Sequence, residues 1–361
     1  MNYNNVRRKT RSVRVGDLTI GGSAPIVIQS MTNTDTHDFD ATLAQVKALQ
    51  AAGCDVVRLT VPNAEAAETI ARLKREIPEM PLVADIHFDY RAALAAVKAG
   101  ADKIRINPGN IGDESRVRAV VEACKERGLP IRIGVNGGSL EKHILAKYGA
   151  PTAEALCESA LYHISLLEKY DFYDTVISIK SSDVSTMIAA NRSLAAKCDY
   201  PIHLGVTEAG GKARGSIKSA IGVGALLADG IGDTVRVSLT ADPVEEIGAA
   251  RDILSALAIE GQSGMNIVSC PTCGRTKIDL IDLAARFERA AGEAGLLDVP
   301  IRVALMGCPV NGPGEAAEAD IGICGGQGEA LLISHGEILE KIPEDQIIDR
   351  LILEIQKIKL G

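Results

Sequence analysis

The sequence predicts a (β/α)8 barrel followed by a small α+β domain, on three observations. An apolar strand followed by an Ala- and Leu-rich helical stretch recurs eight times over roughly 230 residues, and eight parallel units is the number at which such a sheet closes on itself. No G-x-G-x-x-G follows the first strand and no Walker-type loop occurs, which weakens the alternative of a doubly wound open sheet. The closely spaced cysteines, Cys270, Cys273 and Cys308, all come after the last repeat.

Taken in order, Val13-Arg14-Val15 and Leu18-Thr19-Ile20 alternate about Gly16-Asp17 and predict a hairpin plugging the barrel floor. Barrel strands are expected at Ile26–Ser30, Val56–Val61, Leu82–Ile86, Lys103–Pro108, Ile131–Asn136, Thr175–Lys180, Pro201–Thr207 and Thr234–Leu239. The helices between and after them are expected near Phe39–Ala52, Ala64–Glu76, Tyr90–Ala99, Glu114–Arg127, Ala153–Lys169, Val184–Ala196, Ser216–Asp229 and Val244–Ala258. The polar break Glu260-Gly261-Gln262-Ser263-Gly264 sets the domains at 1–262 and 263–361. Strands at Asn266–Ser269, Ile301–Met306, Asp320–Ile323 and Ala330–Ser334, with helices at Asp279–Ala291 and Glu344–Ile358, make the second domain α+β.

Composition bounds the function. The 361 residues, 46% of them hydrophobic, suffice for a barrel plus an appendage. Aromatics are only 3% and Gly reaches 35 residues, which suits close helix-on-sheet packing. A net charge of −8 argues against nucleic acid or an anionic membrane as partner. The basic residues near the start have no apolar run behind them, and no stretch approaches the ~18 apolar residues of a membrane span. A cytoplasmic protein is expected. Cys54, Cys124, Cys157 and Cys198 lie in or beside helical patterns and read as packing thiols.

Parity within the strands carries the first functional signal. Arg58 and Thr60, Asp85 and His87, Arg105 and Asn107, Arg132 and Asn136, Ser178, Lys180 and Ser182, His203 and Thr207, Arg236 and Ser238 are each an even number of residues apart. Period two puts each set on one side of its strand. Facing the helices, these charges would be buried dry at a cost of several kcal/mol per ion, so they are expected to face inward and toward the C-terminal mouth, where barrel enzymes build their sites. Arg58, Arg105, Arg132, Lys180 and Arg236 then converge, and guanidinium geometry suits phosphate oxygens. Local pairing with Asp85 or Glu208 is the structural alternative, but it leaves an excess of cations. Glu208, on a glycine-rich loop, is a candidate acid or base, and His87 and His203 are candidate donors to ligand oxygens. Lys180 on the sixth strand also admits a Schiff-base reading.

The second signal is Cys270-Pro271-Thr272-Cys273 together with Gly307-Cys308-Pro309-Val310-Asn311-Gly312-Pro313-Gly314-Glu315. A third thiol beside a C-x-x-C pair argues for a metal, and iron–sulfur, zinc and redox thiols all remain open from spacing. Cys324 and Glu315 are both available as a fourth donor. A carboxylate is a hard ligand for a soft centre and is released more easily than a thiolate.

These stretches, with Gln29–Thr34, Val57–Val61, Ala84–Phe88, Ile104–Asn110, Gly134–Leu140 and Gly205–Gly210, closely resemble the bacterial 4-hydroxy-3-methylbut-2-enyl diphosphate synthase family over essentially the whole length. The resemblance implies a TIM (β/α)8 barrel followed by a small α+β iron–sulfur domain. It implies one 4Fe-4S cluster held by Cys270, Cys273, Cys308 and Glu315, with Cys324 unligated. The implied reaction is reductive ring opening, with loss of water, of 2-C-methyl-D-erythritol 2,4-cyclodiphosphate. The barrel residues named above, with Asn311 from the second domain, would bind that substrate, Glu208 and Glu315 would act in catalysis, and reduced flavodoxin or ferredoxin would supply electrons.

Topology adds an expectation about assembly. About 14 helical residues carry the chain about 21 Å back toward the barrel floor, and a linker of ~6 residues spans at most about 20 Å. A head-to-tail homodimer, each cluster domain serving its partner's barrel, removes the strain of reaching back.

Overall fold

The computed structural model describes residues 6–259 and 264–360. The chain separates into two compact units, Met1–Glu260 and Gly261–Gly361; most of the break expected at 260–264 lies outside the described residues. No described helix is long and apolar enough to cross a membrane.

The first unit opens with the antiparallel hairpin β1 (Ser12–Val15) and β2 (Leu18–Gly21). Eight parallel strands follow: β3 (Val27–Met31), β4 (Val56–Thr60), β5 (Leu82–Asp85), β6 (Lys103–Ile106), β7 (Ile131–Asn136), β8 (Thr175–Lys180), β9 (His203–Leu204) and β10 (Thr234–Val235). They pair in the order β8-β7-β6-β5-β4-β3-β10-β9, and the parallel bridge Ile177–Ile202 joins the two ends. Each strand divides its residues by parity. Val57, Leu59, Ile104, Ile106, Ile131, Ile133, Ile177 and Ile179 join the core shared with the helices. Val27, Val56, Val83 and Val176 point the other way and meet Val13, Val15 and Ile20 of the hairpin, so the hairpin plugs the floor as its alternation predicts.

Helix limits follow local chemistry. Asp38, Asp89, Asp113, Asp183 and Asp242 each accept a backbone N–H of the first turn they precede, which fixes where those helices begin. β9 and β10 are two residues each, shorter than expected. Beyond Leu204 the ladder thins to single bonds, Arg236 N–H to Leu204 O at 2.9 Å and Thr207 N–H to Ser181 O at 3.3 Å, and the chain is freed to build the mouth. Short helices at Pro108–Ile111 and Lys142–Tyr148 and a 3-10 turn at Gly137–Ser139 were not expected.

The second unit is a five-stranded sheet, β11 (Asn266–Ser269), β12 (Arg302–Met306), β13 (Ile321–Gly325), β14 (Glu329–Ser334) and β15 (Glu337–Pro343), paired in that order. The first three are parallel and the last two antiparallel. Helices Leu280–Glu293 and Ile347–Leu360 cover one face through Leu283, Phe287, Leu351 and Ile355. The opposite face carries a smaller cluster of Ala304, Met306, Ala316 and Cys324, with the short helix Gly312–Ala316 against it. Cys270 follows β11 directly and Cys308 follows β12 by one residue, so these thiols sit at the C-terminal ends of adjacent parallel strands, where ligands gather in open α/β sheets.

Candidate functional site

Parity brings the expected cations together. Arg58, Arg105, Arg132, Lys180 and Arg236 line one cavity of about 200 Å3 at the barrel mouth, with His87, Asn107, Asn136, Thr207 and Ser238. Ser182 and Glu208 line a second cavity of about 450 Å3, which shares Asn136, Lys180 and Thr207 with the first.

Two buried carboxylates hold the cations. Asp85, wholly inaccessible, takes Arg58 Nη2 at 3.3 Å and Arg105 Nη1 at 3.0 Å, with His87 Nε2 at 3.7 Å. Burial alone would raise the Asp85 carboxyl, but Arg58, Arg105, His87 and Arg132 bring it down to about 2. Glu246 takes Arg236 Nε at 3.1 Å and Nη2 at 3.2 Å, and accepts Ser30 Oγ at 2.8 Å. Room for Arg105 comes from an absent side chain: a Cβ on Gly134 would lie 2.6 Å from its guanidinium nitrogens.

The remaining cations pay for proximity. Burial, with repulsion from Arg236 and Arg105 against the pull of Asp85, lowers Arg58 to about 10. Burial and the neighbouring guanidiniums hold Arg132 and Lys180 well below their ordinary ranges. Among the described residues, the carboxylates paired with this group are Asp85 and Glu246. Five cations against two carboxylates leave an excess that an oxyanion would relieve.

Two expected binding residues lie deeper. Asp85 and His203 are fully buried and line neither cavity. His203 Nδ1 is 2.5 Å from Thr234 Oγ1, and burial beside Arg132, Lys180 and Lys103 holds the ring well below the ordinary imidazole range. Two charged residues not expected at the mouth are Lys103 and Glu246, both buried. Lys103 shares the parity of Arg105, a legible signal. Glu246 lies in the first turn of its helix, where acids are common for their effect on the helix dipole.

Glu208 has φ +53°, a left-handed conformation that a non-glycine residue adopts only when its surroundings hold it there. Thr272, inside the Cys270–Cys273 turn, has φ +61°. Of the five described non-glycine residues with positive φ, these two fall on residues or turns singled out for function, and Asp171, Ala258 and His335 do not.

In the second unit Cys270, Asn311 and Glu315 line a cavity of about 620 Å3 with Arg302, Met306 and Val310. Backbone N–H groups face these thiols. Cys270 Sγ accepts Gly307 N–H at 3.4 Å. The amides of Asn311 and Val310 lower the Cys308 thiol, and the Arg275 amide and side chain lower that of Cys273. Cys324 differs: burial, with Cys308 and Glu315 nearby, raises it to about 12. Among the described residues no three His, Cys, Asp or Glu side chains could grip one metal ion. A single ion needs its thiolates within about 2.3 Å of one point, whereas a four-iron cluster takes one donor at each iron, so donors that do not converge on one point fit the cluster better than the ion.

A (β/α)8 barrel with a cation-lined mouth, joined to an α+β unit with thiols at its strand ends, defines a two-domain barrel protein equipped for an anionic ligand and a soft metal centre. The GcpE TIM-barrel domain family matches residues 10–251 and the GcpE protein C-terminal domain family matches residues 266–357; the chain belongs to the GcpE family. It is 56% identical over 352 residues to the 4-hydroxy-3-methylbut-2-en-1-yl diphosphate synthase (flavodoxin) of Geobacillus thermodenitrificans, covering 98% of this chain and 93% of that relative. It is 54% identical over 358 residues to the protein of the same name from Bacillus cereus strain G9842, covering 99% and 95%. Among solved structures, dihydropteroate synthase from Stenotrophomonas maltophilia aligns with a TM-score of 0.51 at 17% identity, covering 69% of this chain and 99% of that one, which shows the shared barrel fold alone.

Proposed function

We propose that this enzyme converts 2-C-methyl-D-erythritol 2,4-cyclodiphosphate to 4-hydroxy-3-methylbut-2-enyl diphosphate, the reductive ring-opening step of the non-mevalonate isoprenoid pathway. The observation that carries the proposal is the excess of cations at the mouth: Arg58, Arg105, Arg132, Lys180 and Arg236 surround one small cavity with two carboxylates between them. A cyclic diphosphate supplies the missing negative charge, and family membership supplies the reaction.

The chain's own residues bind, orient and pass protons. Arg58, Arg105, Arg132 and Arg236 grip the phosphoryl oxygens, with Asn107, Asn136, Thr207 and Ser238 as neutral donors around the rim. Lys180 borders both cavities and positions the diphosphate against the carbon skeleton in the larger one. There Glu208, held in its left-handed conformation, passes a proton as the ring C–O bond opens and a hydroxyl leaves as water. Cys270, Cys273 and Cys308 as thiolates, with Glu315 as the detachable oxygen donor, would hold a 4Fe-4S cluster, which when bound supplies the two electrons, one at a time. Asn311, beside Glu315 in the second-unit cavity, would contact substrate there.

Reduced flavodoxin, which the relatives' names carry, is the proposed donor, with ferredoxin as substitute. The enzyme is proposed to be cytoplasmic and a head-to-tail homodimer, on the linker length. Anaerobic purification followed by iron and acid-labile sulfide analysis, and turnover of the cyclodiphosphate with reduced flavodoxin, test the proposal. Iron-free protein from an oxygen-protected preparation, or loaded protein without turnover, would refute it.

A further inference from the structure

The charged residues of the mouth form a chain in which acceptors and guanidiniums alternate. At one end Ser30 donates to Glu246 at 2.8 Å and Glu246 holds Arg236 at 3.1 Å. At the other, Asp85 holds Arg105 at 3.0 Å and Arg58 at 3.3 Å. Between Arg236 and Arg58 the acceptor is not a carboxylate. The thioether of Met31 stands there, with Arg58 Nε 3.1 Å and Arg236 Nη1 3.6 Å from its sulfur.

Its place is fixed by the sheet. Met31 ends β3 and is the register partner of Arg58 on β4, so the strand ladder brings the sulfur beside that guanidinium. A thioether is a weak acceptor without charge. It orders two guanidiniums and cancels neither. An acid at this position would complete the alternation and cancel part of the charge the pair offers, while an aliphatic side chain would leave Arg58 Nε and Arg236 Nη1 without this acceptor.

We propose that Met31 is a positioning residue, a neutral spacer that fixes Arg58 and Arg236 as a pair for a phosphate-class oxyanion while leaving their charge for that ligand. The inference rests on the reading of the mouth as an anion site, and one experiment separates the two. Inorganic pyrophosphate is titrated into the full-length, iron-loaded protein and into Met31→Leu, Met31→Gln and Met31→Glu, with thermal melting of each. A wild-type protein that does not bind pyrophosphate overturns both readings.

With binding established, Met31→Leu is expected to weaken it ~3–10-fold, the loss of two weak bonds to charged donors. Met31→Gln, a neutral acceptor, should stay within about twofold of wild type. Met31→Glu should bind ~100-fold more weakly, because a carboxylate facing the ligand's charge repels it, and should melt higher than Met31→Gln because that carboxylate pairs with both guanidiniums. Met31→Leu binding as wild type does, or Met31→Glu binding as well as Met31→Gln, overturns the inference; should Met31→Leu not fold, Met31→Ala takes its place, and wild-type binding by that variant overturns the inference.

Discussion

At the barrel mouth the charged side chains already hold one another: Asp85 between Arg58 and Arg105, Glu246 on Arg236, all anchored on strands or on a helix packed behind them. At the thiol site Cys273 and Cys308 are each lowered by nearby backbone amides, and among the described residues no three His, Cys, Asp or Glu side chains could hold one metal ion. The difference follows from what each must bind. An oxyanion is gripped by groups whose geometry can be set in advance, since their mutual repulsion is offset by buried carboxylates. Thiolates gathered without a metal would only repel, so that site is completed by what it binds.

The largest expected effect breaks the second region and spares the first. Cys308→Ser should abolish iron binding, visible absorbance and turnover, while pyrophosphate binding at the mouth persists; iron analysis and calorimetry check both. Next, Asp85→Asn strikes the mouth. Removing one partner of a buried ion network should cost about 3–5 kcal/mol by urea denaturation of the barrel. The carboxyl is lowered from its ordinary value to about 2, so the stability it gives is fully present above its unfolded value of about 4 and lost as pH falls through about 2. The wild-type advantage over Asp85→Asn should shrink in acid accordingly.

Arg105→Ala should weaken pyrophosphate binding ~10–100-fold, the range for a charged hydrogen-bond donor, with iron content unchanged. Smallest is Thr272→Gly. Relieving the left-handed conformation of a β-branched residue should stabilise the Cys270–Cys273 turn by about 1 kcal/mol, read by hydrogen exchange of that segment in iron-free protein.

Much of the mouth is legible from sequence because period-two alternation is local: knowing that Arg105 faces inward requires only its own strand. The barrel and its hairpin plug are legible for the same reason. Glu246 and Met31 are not, because their roles exist only once a distant helix or the neighbouring strand is brought beside Arg236 and Arg58. The depth of His203 is not legible either, since parity gives the side of a strand but not the height within the barrel. In the second unit the helix Gly312–Ala316 is masked by a Gly-Pro-Gly composition that reads as a turn. The edge strand β15 is masked by charge, Glu337, Glu340 and Lys341 along an exposed ladder.

The measurement that bears most directly on the contrast is a pyrophosphate titration of iron-free, full-length protein against the iron-loaded form. Equal affinity in the two is the predicted result, because the mouth is built by the barrel's own strands and carboxylates. Binding that appears only when iron is loaded would contradict it.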